Sequence, residues 1–326
     1  MKEYFKTEAE KTITDIKKAR SEGDLCFALL SDSHLCDEST ETCENISAVD
    51  KEINFDFIAH LGNITNGDNP EKITRWLMQN EIEKFKNTIS AKKLFVTQGE
   101  NDGWRDENFK GQMAKNIITD DMWYEETSYM NLYPGVSRKG NKPYYYVDLP
   151  EYETRLVFLC TYTYQINSAL GLFDKHLGID IEQTGWLMTE ALNVEVGTNV
   201  ILFSHRIPKS RFENGNDTFV YNGYATEQTL AILQQAKNRG INIVCWFGGG
   251  YGYDSEINVA GINHAVINSQ LPRCITSAEC DGIRFSSDRE NDTLNQDCWD
   301  AVVVKRKERC INIYRFGAGE DRSMVY

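Results

Sequence analysis

Five short apolar runs punctuate the chain, each stopping at a glycine or a polar cluster. Residues 25–30 end in Ser31-Asp32-Ser33-His34, residues 57–61 in Gly62-Asn63, and residues 93–98 in Gly99-Glu100-Asn101-Asp102. Residues 200–203 end in Ser204-His205-Arg206-Ile207-Pro208, and residues 243–247 in Gly248-Gly249-Gly250-Tyr251-Gly252-Tyr253-Asp254. Apolar runs of this length bounded by turn residues predict buried strands.

Helical spacing fills the intervals. Tyr4, Phe5, Ala9, Ile13 and Ile16 alternate with Lys and Glu, predicting an amphipathic helix within residues 1–22 that Gly23 stops. A second helix is predicted with Asn69 as cap and Pro70 in its first turn, running through Trp76, Leu77, Ile82 and Phe85. Helical segments are also expected over residues 182–194 and 226–239, the latter closed by Gly240. Residues 143–148 and 155–160 predict a β-hairpin. Alternation there sends Tyr145 to the face opposite Tyr144 and Tyr146, as strand packing requires. Residues 262–267 predict a strand in which His264 is a satisfied polar group, and residues 300–316 a closing strand pair. Residues 36–45, with Asp37, Glu38, Glu41 and Glu44, read as a solvated acidic loop overhanging the first strand end. Residues 109–143 read as an irregular insertion covering or flanking the site. Strand alternating with helix marks an α/β layered domain, and no linker or repeat divides residues 1–326.

Composition narrows the function. A net charge of −14 argues against a nucleic-acid partner, since phosphate neutralisation needs clustered Lys and Arg. No run of about 20 apolar residues predicts a membrane span, and the first residues lack a secretory apolar segment. Nine cysteines without a Cys-x-x-Cys pair suggest a reduced, cytoplasmic setting, with Cys26, Cys160 and Cys245 as core residues.

The chemistry lies at the strand ends. Asp32 and His34 are spaced to converge at the carboxyl end of the first strand, where open α/β sheets place their ligands. A carboxylate beside an imidazole suits a divalent transition ion. Asp-x-His, Gly-Asn, Gly-Glu-Asn-Asp, an isolated His and a glycine-rich end, in this order, resemble the strand-end motifs of the calcineurin-like metallophosphoesterases. The resemblance spans roughly residues 25–316 and implies a sandwich of two mixed β-sheets flanked by helices. It implies metal ligands at Asp32, His34, Asn63, Glu100 and His205, and the general-acid position at Asn101 with Asp102 behind it.

Several of these positions depart from the family pattern. Asn63 stands where the family has a metal-bridging Asp. Glu100 stands for its ligand Asn, Asn101 for its catalytic His, and Gly249-Gly250-Tyr251-Gly252 for its Gly-His-x-His. An amide bridges two cations poorly and cannot deliver a proton. The leading expectation is therefore a degenerate member with phosphoester hydrolysis lost or much reduced, its cleft kept as a binding or structural surface. The alternative is an active hydrolase of phosphomonoesters or phosphodiesters, with one Mn²⁺, Fe²⁺ or Zn²⁺ held by Asp32, His34, Glu100 and His205 and weakly by Asn63. A third expectation is an assembly protein. Candidate binding residues for a small phosphorylated ligand are Arg206, Gly250, Tyr251 and Tyr253. The two tyrosines would offer aromatic surface at the rim, and the glycines a close backbone approach.

Overall fold

A computed structural model describes residues 1–34, 38–67, 69–103, 117–167, 172–207, 210–211, 217–218, 226–270 and 289–326. Side chains are described in all of these except 38–39, 163–167, 172–177, 210–211, 217–218 and 226. The first half contains α1 (Lys6–Ala19), β1 (Leu25–Leu30), α2 (Glu38–Ile53), β2 (Phe57–His60), α3 (Glu71–Lys86), β3 (Leu94–Val96), α4 (Glu100–Gly103), α5 (Asp120–Glu126), β4 (Val136–Arg138), β5 (Tyr145–Leu149) and β6 (Thr154–Phe158). The second contains β7 (Tyr162–Asn167), β8 (Leu172–Leu177), α6 (Ile181–Trp186), β9 (Asn199–Ser204), β10 (Ser210–Arg211), β11 (Asp217–Thr218) and α7 (Thr226–Asn238). It closes with β12 (Asn242–Gly248), β13 (Ser255–Val259), β14 (Ile262–Val266), β15 (Cys298–Lys305), β16 (Cys310–Gly317) and β17 (Arg322–Val325).

Two mixed sheets form the frame. One has the order β17-β16-β15-β1-β2-β3, the other β13-β14-β12-β9-β6-β5-β4. Strands β1, β2 and β3 run parallel, as do β6, β9, β12 and β14, so their carboxyl ends gather along one edge. The sheets meet through aromatic rings. Phe27 stacks on Phe57 at 4.6 Å and meets Phe203 edge-on at 5.8 Å; Phe203 stacks on Phe158 at 4.7 Å, and Phe158 on Tyr145 at 4.6 Å. The outer face of the first sheet is covered through Phe5, Ala9 and Ile16 from the N-terminal segment and Ile46 and Val49 from α2. All six residues of β1 are buried, as a strand covered on both faces requires. A second core, with Trp186, Leu187, Leu233 and Ala236, covers the far face of the other sheet. Tyr145 lies in the first core and Tyr144 in the second, as strand alternation predicts.

Four local expectations need correction. Of the acidic stretch 36–45, residues 38–45 are helical rather than a loop over the site, because α2 begins at Glu38, and residues 36 and 37 lie outside the described residues. Thr42, Cys43, Ile46, Val49 and Ile53 recur at helical spacing and are buried, while Glu41 pairs with Lys2 and Glu44 with the amino terminus. Residues 104–116 of the expected insertion lie outside the described residues. The remainder is ordered into α5, capped by Thr119, and the strand β4, with Trp123 and Met130 buried. Pro70 takes the cap position of α3, one residue beyond the expected Asn69. The closing pair of strands gains β17, a third antiparallel neighbour. Among the described residues no helix is long and apolar enough to cross a membrane.

A buried charge network ties the closing strands to the loop after β12. Arg315 reaches Asp300 at 2.9 Å and Asp254 at 2.6 Å, and Arg322 reaches the same two carboxylates, each at 2.6 Å. Burial disfavours ionisation of Asp254, but the two guanidiniums outweigh it and hold the carboxyl below its usual range. A carboxyl with a folded pKa below its unfolded one adds stability that is present above about pH 4 and lost as pH falls through the folded value. The urea midpoint of the wild type should therefore fall more steeply below about pH 4 than that of Asp254→Asn. Parallel acid limbs would contradict this role.

Candidate functional site

The gathered strand ends are laced together by side-chain hydrogen bonds to backbone. Asp32 and His34 converge, but not by strand alternation: both adopt left-handed backbone, with φ of 59° and 49°. Their amides donate to the carbonyls of Gly62 and Asn63, each at 3.0 Å, which binds the first strand end to the second. His34 Nε2 then lies 3.5 Å from Asp32 Oδ1.

Asp32 is surrounded by donors. Its Oδ1 accepts from Asn63 Nδ2 at 2.8 Å; its Oδ2 accepts from Ser31 Oγ at 2.5 Å and from the Gly250 amide at 2.8 Å. Burial opposes its charge, but these partners and the neighbouring imidazoles hold the carboxyl far below its usual range. Asn63 thus presents its amide hydrogens to Asp32, while its Oδ1 accepts from the Asn101 amide at 2.9 Å.

Asp102 is a clamp. It is fully buried and accepts from three backbone amides: Asn63 at 2.8 Å, Thr65 at 2.9 Å and Gly99 at 2.9 Å. Burial pushes its carboxyl up to about 6 in spite of those bonds. The clamp brings Gly99 so close to the second loop that a β-carbon there would lie 2.2 Å from the Asn63 nitrogen, so only glycine fits.

His205 lies fully buried beneath this cluster. Its Nδ1 is 2.6 Å from the Leu61 carbonyl, an acceptor only, so Nδ1 carries the hydrogen. Burial lowers the basicity of the ring, leaving Nε2 as a bare lone pair with no partner among the described residues. Gly250 covers that nitrogen: a β-carbon there would stand 2.4 Å from it. His34 Nδ1 is likewise buried and unpartnered.

Glu100 reaches Arg206. Its Oε1 is 3.3 Å from Arg206 Nη2, and its Oε2 accepts from the Tyr162 hydroxyl at 3.1 Å. Arg206 Nε donates to the same hydroxyl at 2.9 Å, and the guanidinium lies 4.3 Å from the centre of the Tyr251 ring. Tyr251 and Tyr253 are not rim surface: both are buried, and Tyr251 donates to the Ile207 carbonyl at 3.1 Å. Nor do the glycines offer a phosphate cradle, since the Gly249 amide donates to the His205 carbonyl and the Gly250 amide to Asp32. The strand context singled out Arg206 and Glu100; it missed Tyr162, which joins them. An aromatic residue just beyond the β6 end was the available signal. His60 stays within its strand, its ring bonded to Ser33 and the Gly62 amide. Asp68, Cys36, Cys274 and Cys280 lie outside the described residues.

These donors do not fit a pair of metal ions. Asp32 is occupied by hydrogen-bond donors, Asn63 offers it N–H rather than oxygen, and Glu100 is held by a guanidinium. Among the described residues no three His, Cys, Asp or Glu side chains form a group able to hold an ion. The family model for calcineurin-like phosphoesterases matches residues 26–246, more than half of the chain. The chain belongs to this family. No curated protein matches it. Among solved structures, a dimetal phosphatase from Danio rerio is similar at 13% identity and a TM-score of 0.59, over 93% of this chain and 99% of that one. GAP50, the anchor in the inner membrane complex of Plasmodium, is similar at 13% identity and a TM-score of 0.52, over 92% and 90%. At such identities the likeness is one of fold, and it agrees with the two mixed sheets and flanking helices.

In this phosphoesterase-family chain the clamp can be tested apart from any chemistry. Asp102→Ala would leave three backbone amides without their acceptor and is expected to cost about 3 kcal/mol or more in urea unfolding. A change within about 0.5 kcal/mol, the range of ordinary surface substitutions, would contradict the clamp.

Proposed function

We propose that this chain is a phosphoesterase-family protein whose two-metal centre has been exchanged for a hydrogen-bonded polar cluster built on Asp32, Asn63 and Asp102. Phosphoester hydrolysis is lost or much reduced, and the cleft remains as a binding or structural surface. The observation that carries this reading is the 2.8 Å bond from Asn63 Nδ2 to Asp32 Oδ1, which puts a donor on the carboxylate a metal would need. The remaining machinery agrees. Two-metal hydrolysis needs a group bridging ions about 3.5–4 Å apart and a water activated between them. An Asn at position 63 carries no charge to offset their repulsion. At position 101 an amide can donate a hydrogen bond to a leaving group but cannot transfer a proton to it. Asp102 spends its oxygens on three backbone amides and orients no imidazole.

The fold itself does not choose a role. Its likeness extends both to a protein named as a dimetal phosphatase and to one named as an anchor. The competing reading is a hydrolase using one ion, and it is favoured by one observation: among the described residues, the buried Nε2 of His205 and Nδ1 of His34 have no hydrogen-bond partner. That reading needs Asp32 to exchange its donors for a cation.

Metal content per chain, measured on protein purified without chelator and again after Mn²⁺ resupply, separates the two readings. Turnover of an aryl phosphomonoester and an aryl phosphodiester is followed in the same samples. We expect metal well below one ion per chain and no turnover above buffer. One tightly held ion, with turnover abolished by Asp32→Ala and by His205→Ala, would replace our reading with the mononuclear one.

A further inference from the structure

The densest basic run of the sequence is Lys305-Arg306-Lys307-Glu308-Arg309, in a chain whose net charge is −14. Residues 306–309 form the turn between β15 and β16. Because β15 runs antiparallel to β1, this turn lies at the amino end of β1, on the edge of the sandwich opposite the cleft. A cavity of about 230 Å³ opens there. Its walls come from the residues before β1 and β6, the starts of β9 and β12, and the basic turn itself, so both sheets contribute.

The carboxylates around this cavity are mostly engaged. Asp24 accepts from the Ser21 amide at 2.8 Å and from the Arg306 amide at 3.3 Å. Glu153 pairs with Arg306 Nη2 from the other sheet, and Glu308 with Lys305 at 3.5 Å. Donors are left over. Arg306 Nε is buried without a hydrogen-bond partner among the described residues. Arg309 is held at the cavity, its Nη1 donating to Asn242 Oδ1 and its Nε to the main-chain oxygen of Tyr326, each at 3.1 Å. Lys307 lines the cavity and forms no ion pair among the described residues. Against these cations stands one lining carboxylate without a partner among the described residues, Glu22.

We propose that this cavity is an oxyanion site for inorganic phosphate or the phosphate head of a small monoester, held by Lys307, Arg309 and Arg306 Nε. Guanidinium forks match the oxygens of a phosphate, and an ammonium adds a point charge. The volume lies below the roughly 300 Å³ at which pockets for drug-sized ligands begin, which suits a small ion. The site is separate from the strand-end cleft and does not depend on how that cleft is read.

The thermal midpoint of the full-length protein is followed across an inorganic phosphate series, with NaCl holding ionic strength constant, and titration calorimetry gives the affinity. The wild-type midpoint should climb with the logarithm of phosphate concentration, as binding to the folded state requires. Phosphate also strengthens burial generally, which raises every variant alike, so the difference between variants is what counts. Lys307→Gln/Arg309→Gln should bind at least about tenfold more weakly, as the loss of charged hydrogen bonds predicts. Glu22→Gln should bind more tightly than the wild type, a gain that a merely structural role for the turn would not produce.

Lys307 has no ion pair to lose, so Lys307→Gln alone carries the same test should the double variant not fold. Glycerol 1-phosphate is titrated beside inorganic phosphate: tighter binding assigns the site to a monoester head, equal or weaker binding to the free ion. No saturable heat in the wild type, or wild-type affinity in the Lys307 variants, would overturn the site.

Discussion

Aromatic packing between the sheets sets everything else in place. Phe27, Phe203, Phe158 and Tyr145 interlock across the sandwich at ring separations from 4.6 to 5.8 Å, which fixes the parallel strands of one sheet against those of the other. Dense interiors have little room for sliding, so the position of each strand's carboxyl end follows from this contact. The loops at that edge inherit their positions. Asp102 then pins two of them to each other, and Asp32 pins the first strand end to the last through the Gly250 amide. Both carboxylates are thereby structural before they are anything else.

Electrostatics within the cleft follows from how these bonds share the available lone pairs. A carboxylate that already accepts from a hydroxyl, an amide side chain and a backbone N–H has little left to offer a cation. In the second loop, Asn63 supplies N–H to one neighbour and C=O to another, which an aspartate could not do in the same geometry. The change at position 63 is therefore matched to its surroundings. The same holds for Glu100, whose charge is met by Arg206 and whose second oxygen is met by Tyr162. Consistency across several neighbouring positions is what a settled polar network requires, since a partly satisfied one is costly.

The strand ends were legible because a short apolar run that stops at Gly, Asp or His has the length and the punctuation of a buried strand, and the order of those ends carried the family. Asp32, His34, Asn63 and His205 could be placed together on that ground. The partners of Glu100 could not, because the pairing with Arg206 spans more than a hundred residues and leaves no local pattern. Tyr251 and Tyr253 read as rim aromatics because glycines surround them, yet tertiary packing drew both inward. Helix α2 was hidden by its acidic residues; the buried spacing of Thr42, Cys43, Ile46 and Val49 was present and outweighs them. The convergence of Asp32 and His34 follows from left-handed backbone rather than from strand alternation, a conformation that neither residue type announces.

The central claim is that the cleft is tied together by its own hydrogen bonds, leaving no place for a metal pair. Electron paramagnetic resonance of Mn²⁺ titrated into the protein addresses it directly, because free and bound Mn²⁺ have different spectra. The account predicts that the free-ion signal grows in proportion from the first addition. Loss of that signal until two ions per chain are taken up, with the broadened spectrum of a coupled pair, would contradict it.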